Sequence, residues 1–375
     1  MHVQTETPLP VFFLILKLHF KYIFKEDTMH AIPRGWRGAA AAALLAIGAL
    51  AGSAAFAAER KFEMNIEDTR ITLVEKMQFH TFAFQGQVPG PLFYVDEGDQ
   101  VEVTVNNVTA LPHTIHWHGL VQMGSWQMDG VPGVTQPSIG PGETFTYKFT
   151  AEPSGTMWYH CHVNVNEHVV LRGMWGPFII KPKKPTALEK TVTKDFILMF
   201  SDWDSKWANK PGFGGVPGDV FDYFTINGKS YPETQPMRVT KGDVVRMRLI
   251  GSGDKTHSIH LHGHVMTVAF KDGFPLPAPY KADTIAVSPG ERYDVIFTAD
   301  NPGLWMLHDH VDSHTMNGDR PMGGIMGVLE YTEIKKPDFY EWKNKKFEPN
   351  FFYEDSLRKG PGIYTNDVFK GQAVQ

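Results

Sequence analysis

Four His-x-His pairs constrain this chain more than any other feature: His116-Trp117-His118, His160-Cys161-His162, His260-Leu261-His262 and His308-Asp309-His310. Side chains on a β-strand alternate between faces, so residues i and i+2 point the same way, roughly 7 Å apart. Each pair therefore offers two imidazoles to one site, and the four pairs together offer eight. In the second pair the intervening residue is the only cysteine of the sequence, and its thiol points away from the flanking rings. That alternation suits two different metal centres joined through the backbone of adjacent residues. Chance does not place four such pairs at matched positions.

A chain of 375 residues has room for two domains of ordinary size, each with its own core. The net charge of −5 is mild, and no Lys/Arg run suggests nucleic acid as a partner. A single cysteine excludes an internal disulfide, which leaves Cys161 as a free thiol or a metal ligand. The N-terminus reads as a targeting segment: Arg34 and Arg37 precede an Ala/Leu/Gly run from Ala39 that ends in Ala55-Phe56-Ala57. A leader over 1–57, a mature chain from about Ala58, and export to the periplasm or the exterior are the expectation. Met29 is an alternative start within that leader. The run is long enough to span a bilayer, but its Ala and Gly content makes it weakly hydrophobic, so a cleaved signal is preferred to an anchor. Arg34 and Arg37 are not adjacent, which argues against a twin-arginine route.

The remaining sequence repeats itself. The motif His113-Thr114-Ile115-His116-Trp117-His118-Gly119 returns 144 residues later as His257-Ser258-Ile259-His260-Leu261-His262-Gly263. Met157-Trp158-Tyr159-His160-Cys161-His162 returns as Trp305-Met306-Leu307-His308-Asp309-His310. The segments before them match as well, Val95–Val101 with Val239–Val245 and Gly140–Phe149 with Pro289–Phe297. A period of this length means two copies of a whole domain. Short alternating stretches broken by Pro/Gly turns every 8–12 residues predict an all-β fold, two Greek-key β-sandwich domains in tandem. The expected limits are 58–184 and 185–335, joined at Lys181-Pro182-Lys183-Lys184-Pro185, with a tail over 336–375 whose role is not legible.

A thiolate, two imidazoles and a weak axial thioether make the trigonal blue-copper arrangement. The first repeat supplies them in order as His113, Cys161, His168 and Met174, although a methionine beside Trp175 and Phe178 also suits core packing. The second repeat keeps His257, His314 and Met322 at broadly corresponding places but has Asp309 in place of the cysteine, so no blue site is expected there. Eight imidazoles without carboxylates suit copper or zinc rather than calcium or magnesium. Mononuclear zinc sites are one reading. The neighbouring thiolate favours a copper cluster between domains, with one copper on His116 and His260 and a coupled pair on His118, His160, His162, His262, His308 and His310.

These motifs are similar to those of multicopper oxidases, and the chain resembles the two-domain, laccase-like branch with its blue copper in the first domain. The likeness covers roughly residues 62–332. It implies cupredoxin-like domains and four coppers per chain: one type 1, one type 2 and a type 3 pair. It further implies dioxygen as acceptor, a small reducing substrate or redox protein as donor, and a ring trimer with the cluster between subunits. Two departures stand out. His168 follows Cys161 by seven residues rather than the five usual in laccases, and the loop after His162 lacks the family's usual acid, with Glu167 left unassigned. Asp129 matches a family acid near the cluster that would supply protons to reduced oxygen, although an Asp-Gly turn explains it equally well. A phenolic donor docking near an exposed edge of His168 is the leading expectation for electron delivery. Copper nitrite reductase and a Cu(I) or Mn(II) oxidase are the alternatives. The first is disfavoured because a mononuclear type 2 site leaves His118, His162, His262 and His310 without work.

Overall fold

Strand Gln100–Asn107 shows how the pattern becomes structure. Val101, Val103 and Val105 are buried, while the residues between them face outward. Branched residues at every second position fill one side of a pleat and leave the other polar. The computed structural model describes residues 57–209 and 220–340. All but the last residue of the expected leader, and the tail beyond residue 340, lie outside the described residues.

The first sandwich comprises β1 (Glu59–Val74), β2 (Met77–Phe84), β3 (Phe93–Asp96), β4 (Gln100–Asn107), β5 (His116–His118), β6 (Thr144–Thr150), β7 (Gly155–His160) and β8 (Trp175–Lys181). They form two four-stranded sheets, β2-β1-β4-β6 and β3-β8-β7-β5. Trp117 on the second sheet meets Tyr147 and Phe149 on the first, with ring centroids 5.4 and 4.9 Å apart, so aromatic faces fill the space between the sheets.

The second sandwich comprises β9 (Lys194–Trp203), β10 (Tyr223–Ile226), β11 (Met237–Val239), β12 (Val244–Gly251), β13 (His257–Leu261), β14 (Met266–Lys271) and β15 (Phe274–Ala282). It continues with β16 (Thr284–Val287), β17 (Arg292–Thr298), β18 (Leu304–Asp309), β19 (Met316–Asn317), β20 (Arg320–Pro321) and β21 (Met326–Tyr331). Eight strands run in the order β15-β14-β17-β12-β9-β10-β19-β20, and five in the order β11-β21-β18-β13-β16. The internal repeat is visible in register. His116 pairs with His160 across β5 and β7, and His260 pairs with His308 across β13 and β18.

The two sandwiches share apolar and polar contacts. Trp158, Val169 and Trp175 of the first join Phe196, Leu198 and Trp203 of the second in one buried cluster. Beside it, Thr156 donates to Asp294 (2.6 Å), Arg248 bridges Thr156 and Asp195, and Arg246 also pairs with Asp195. Each of these buried charges has a partner of opposite sign, which is the condition for tolerating them inside a protein.

Candidate metal centres

The thiol of Cys161 lies just past the end of β7, fully buried among aromatic side chains. His113 Nδ1 is 3.7 Å and His168 Nδ1 3.4 Å from its sulfur, and the three ligand atoms lie within 4.8 Å of one another. Phe82 covers both imidazoles. The Nε2 of His113 is 2.9 Å from the Thr109 hydroxyl, which in turn reaches Asn107 Oδ1 at 2.8 Å. With Nε2–H donating to Thr109, Nδ1 is left as a bare lone pair facing the sulfur. Met174 is fully buried, and its main chain ties the loop together: its N–H donates to the carbonyl of His168 and its carbonyl accepts from the N–H of Cys161.

Burial sets the protonation of this group. It pushes His113 down to about 2, aided by neighbouring His168, and His168 down to about 4, aided by the Arg172 guanidinium. Burial also pushes the Cys161 thiol up to about 11. At neutral pH both imidazoles are ready ligands, and an incoming metal must displace one thiol proton.

The long ligand loop is held by a device the spacing did not reveal. Residues Asn166–Leu171 form a single π-helical turn. Buried Arg172 donates to the carbonyls of His80 and Trp207, both at 2.9 Å, and sits 3.4 Å from buried Glu167. It thereby clasps the loop to β2 and to the second sandwich. His168 itself is only 2% exposed. The expectation of an exposed His168 edge for a donor is therefore corrected: the π-turn packs the ligand inward against β2 and β9.

On the opposite side of the same backbone lie His116, His118 and His160, with ligand atoms within 4.8 Å of one another, and the His162 ring is 5.4 Å from that of His116. His116 Nδ1 donates to the main-chain carbonyl of Asp129 (2.9 Å), and His160 Nδ1 to the carbonyl of Cys161 (2.9 Å). A carbonyl only accepts, so both rings carry their proton on Nδ1 and present a bare Nε2. Trp158 stacks on His118 and lies against His160. Burial lowers His118 to about 3 and His160 well below its ordinary value.

The second sandwich repeats the arrangement. His260 Nδ1 donates to the carbonyl of Asp283 (2.9 Å) and His308 Nδ1 to that of Asp309 (2.8 Å). The Nε2 atoms of His262 and His308 stand 3.1 Å apart, a separation that two imidazoles on one small ion require. The ring of His310 lies 5.4 Å from that of His308. His264, whose role was not legible, is 3.2 Å from the carbonyl of His262 and bonds the Tyr331 hydroxyl, so it steadies that turn. Among the described residues, no ring contact links the four histidines of the first sandwich with the four of the second.

Asp129 takes the turn position that its Asp-Gly sequence suggests. It closes a short 3-10 turn before Gly130, whose φ of +84° and contact with the Ile115 carbonyl leave no space for a Cβ. Its carboxylate also stands 3.4 Å from His116 Nδ1.

In place of a second blue site, Asp309 Oδ2 lies 2.7 Å from both His257 Nδ1 and His314 Nδ1, all three residues being buried. Asp202 lies 3.3 Å from the other face of His257. Met322, aligned with the axial position by sequence, is instead 60% exposed at φ +61° and takes no part. Burial opposes charge on His257, but Asp202 and Asp309 outweigh it and raise the ring to about 9. A proton is favoured here at the place that corresponds to the His113, Cys161 and His168 group of the first repeat. A group raised in the folded state stabilises it fully below about 6.5, and that contribution is lost as pH climbs through about 9. The midpoint of thermal unfolding of the metal-free protein is therefore expected to fall between pH 7 and 9, and Asp202→Asn to flatten that decline. Thermal scans by circular dichroism at fixed ionic strength measure it.

Family models described as multicopper oxidase match residues 65–185 and 202–319. The blue copper oxidase from Nitrosomonas europaea is 66% identical, the alignment covering 84% of this chain and 99% of that one with a TM-score of 0.78. The multicopper oxidase mgLAC is 56% identical over 84% of this chain and 100% of its own, also with a TM-score of 0.78. Laccase-2 of Botryotinia fuckeliana is 33% identical over 304 residues, 74% of this chain and 50% of that protein. The chain spans about half the length of the curated relatives it matches. The fold shared with the solved neighbours is all-β and cupredoxin-like, as the sequence predicted.

Proposed function

Because this chain belongs to the multicopper oxidases and is a copper-dependent oxidoreductase, we propose that it couples one-electron oxidation of a reducing substrate, phenolic by preference, to four-electron reduction of dioxygen to water. One observation carries the reading: Cys161 and its neighbours His160 and His162 belong to two differently built donor groups on opposite sides of one backbone. The buried thiol of Cys161 with the imidazoles of His113 and His168 fits a type 1 copper, which these residues would hold together with Met174. His116 and His260 would hold the type 2 copper, and His118, His160, His162, His262, His308 and His310 the type 3 pair. When bound, the coppers would accept single electrons at the thiolate group and deliver four to dioxygen at the cluster.

The protein's part is positioning. The main chain of Cys161 joins the two groups covalently, and its carbonyl also accepts from His160 Nδ1, giving a second, hydrogen-bonded path. Fixed tautomers on His113, His116, His160, His260 and His308 remove the cost of ordering ligands when metal arrives. Asp129 orients His116 through its carbonyl, and its carboxylate, 3.4 Å from His116 Nδ1, would serve as the acid that supplies a proton to reduced oxygen.

The division of eight histidines into two separate fours supports a cluster completed between chains, the first sandwich of one subunit meeting the second of the next in a homotrimer. The leader supports action in the periplasm or outside the cell. Copper analysis of the loaded protein tests the reading: about four ions per chain are expected, against about two for a nitrite reductase with one type 1 and one mononuclear site. A value near one would leave only an electron carrier.

A further inference from the structure

Burial of His168 leaves the donor without direct access to the thiolate group, and the structure offers another place for it. A cavity of about 630 Å³ lies between the β1–β2 hairpin and the β19–β20 hairpin, lined by Glu75, Lys76, Met77, Tyr223, Arg320 and Met322, among others. Its size falls within the range of small-molecule sites. Tyr223 forms part of its wall and is the cross-strand partner of Trp203 in the β9–β10 pairing. Phe79 packs against both, 6.5 Å from the Tyr223 ring and 5.2 Å from the Trp203 ring. Trp203 is fully buried, and its indole N–H is 3.1 Å from both the Ser201 and the Thr225 hydroxyls. At its far end the indole abuts Gly173, where a Cβ would come within 2.6 Å of it and where φ is +68°. Only glycine lets the ring come so close to the ligand loop. The next residue, Met174, donates its N–H to the carbonyl of His168 at 3.0 Å.

We infer that this cavity is the donor site, that it takes an aromatic reductant of phenol size, and that Tyr223, Phe79 and Trp203 carry its electron to the Gly173–Met174 edge of the ligand loop. The inference rests on the oxidase reading above. Aromatic and thioether surfaces of Tyr223, Met77 and Met322 suit a flat ring. Polar groups of both signs in the cavity lining, Glu75 and Lys76 among them, suit its hydroxyl. A metal ion is the poorer occupant, because no group of three convergent ligands falls in the cavity among the described residues. Each phenol loses one electron and its hydroxyl proton, the proton passing to water at the open mouth, and becomes a phenoxyl radical. Four such oxidations match one dioxygen, which takes up four electrons and four protons to give two waters.

The test uses 2,6-dimethoxyphenol with the full-length protein and the variants Tyr223→Leu and Lys76→Trp, the latter filling the cavity from an exposed turn. In the copper-loaded protein without oxygen, bleaching of the blue absorption by this phenol is expected to slow at least about tenfold in both variants. Position and intensity of the resting band, and bleaching by dithionite, stay at parental values. In the metal-free protein, broadening of the phenol's proton resonances is expected for the parent and lost in Lys76→Trp. Parental bleaching rates in both variants, or undiminished broadening in Lys76→Trp, overturn the inference. A parent protein that takes up copper without a blue band would sink the oxidase reading instead, leaving the broadening measurement to decide the cavity's role by itself.

Discussion

Cys161→Ser is expected to abolish both the blue absorption and donor oxidation while leaving the fold in place. The thiolate is the one ligand that no other residue of the chain can replace, since Cys161 is the only cysteine. A serine hydroxyl stays protonated at neutral pH and is a poor ligand for copper in an otherwise imidazole-lined site. The eight paired histidines are untouched, so copper content should fall by about one ion per chain rather than to zero. The cost to stability is expected to be about 1–3 kcal/mol, because a hydroxyl replaces a buried thiol with the carbonyl of Val163 3.7 Å from the sulfur. Visible absorption, copper analysis and thermal unfolding of the same preparation read all three. Retained turnover with a phenol would contradict the assignment of Cys161 as the point where electrons are received.

The second large effect concerns two variants that are each inactive alone. His118→Ala removes a ligand from the first sandwich's set, and His262→Ala removes one from the second's. If each cluster is built from the first sandwich of one chain and the second of another, either variant alone spoils every cluster. Mixed, dissociated and reassembled in equal amounts, the two should form roughly a quarter of their interfaces from an intact first and an intact second sandwich. Oxygen consumption should then return to about a quarter of parental activity. Were the cluster completed within a single chain, no mixture would recover activity. The prediction follows from geometry already described: four histidines gathered in each sandwich, and no ring contact between the sets among the described residues.

Much of this architecture was legible in the sequence because the signals were local and repeated. A two-residue spacing on a strand fixes which side chains share a face, so the His-x-His pairs announced their grouping before any fold was known. The replacement of cysteine by Asp309 likewise announced that the second repeat holds no thiolate site. What stayed hidden depends on segments far apart in the chain. Nothing near His113 indicates that Thr109 would fix its tautomer. Asp202 meets His257 only because β9 and β13 are brought together by folding, and that meeting turns a remnant into a site that holds a proton. Arg172 was silent because its partners are main-chain carbonyls at His80 and Trp207, which carry no sequence signature. The same clasp explains the failed expectation about His168. Seven residues after Cys161 reads only as a longer loop, and the exposed edge was expected from electron delivery rather than from the spacing. The extra residues are instead absorbed in a π-turn whose charges, Glu167 and Arg172, are paired indoors. Met322 is 60% exposed on a left-handed backbone, in keeping with a repeat in which no blue site was expected.

The most direct test of the central claim is the stoichiometry of oxygen uptake by the copper-loaded protein, with a phenolic donor in excess and peroxide followed in the same vessel. The account predicts about four donor molecules oxidised per dioxygen consumed and no accumulation of peroxide, with nitrite neither consumed nor inhibitory. Two donors per dioxygen with matching peroxide, or no oxygen uptake but loss of nitrite, would contradict it.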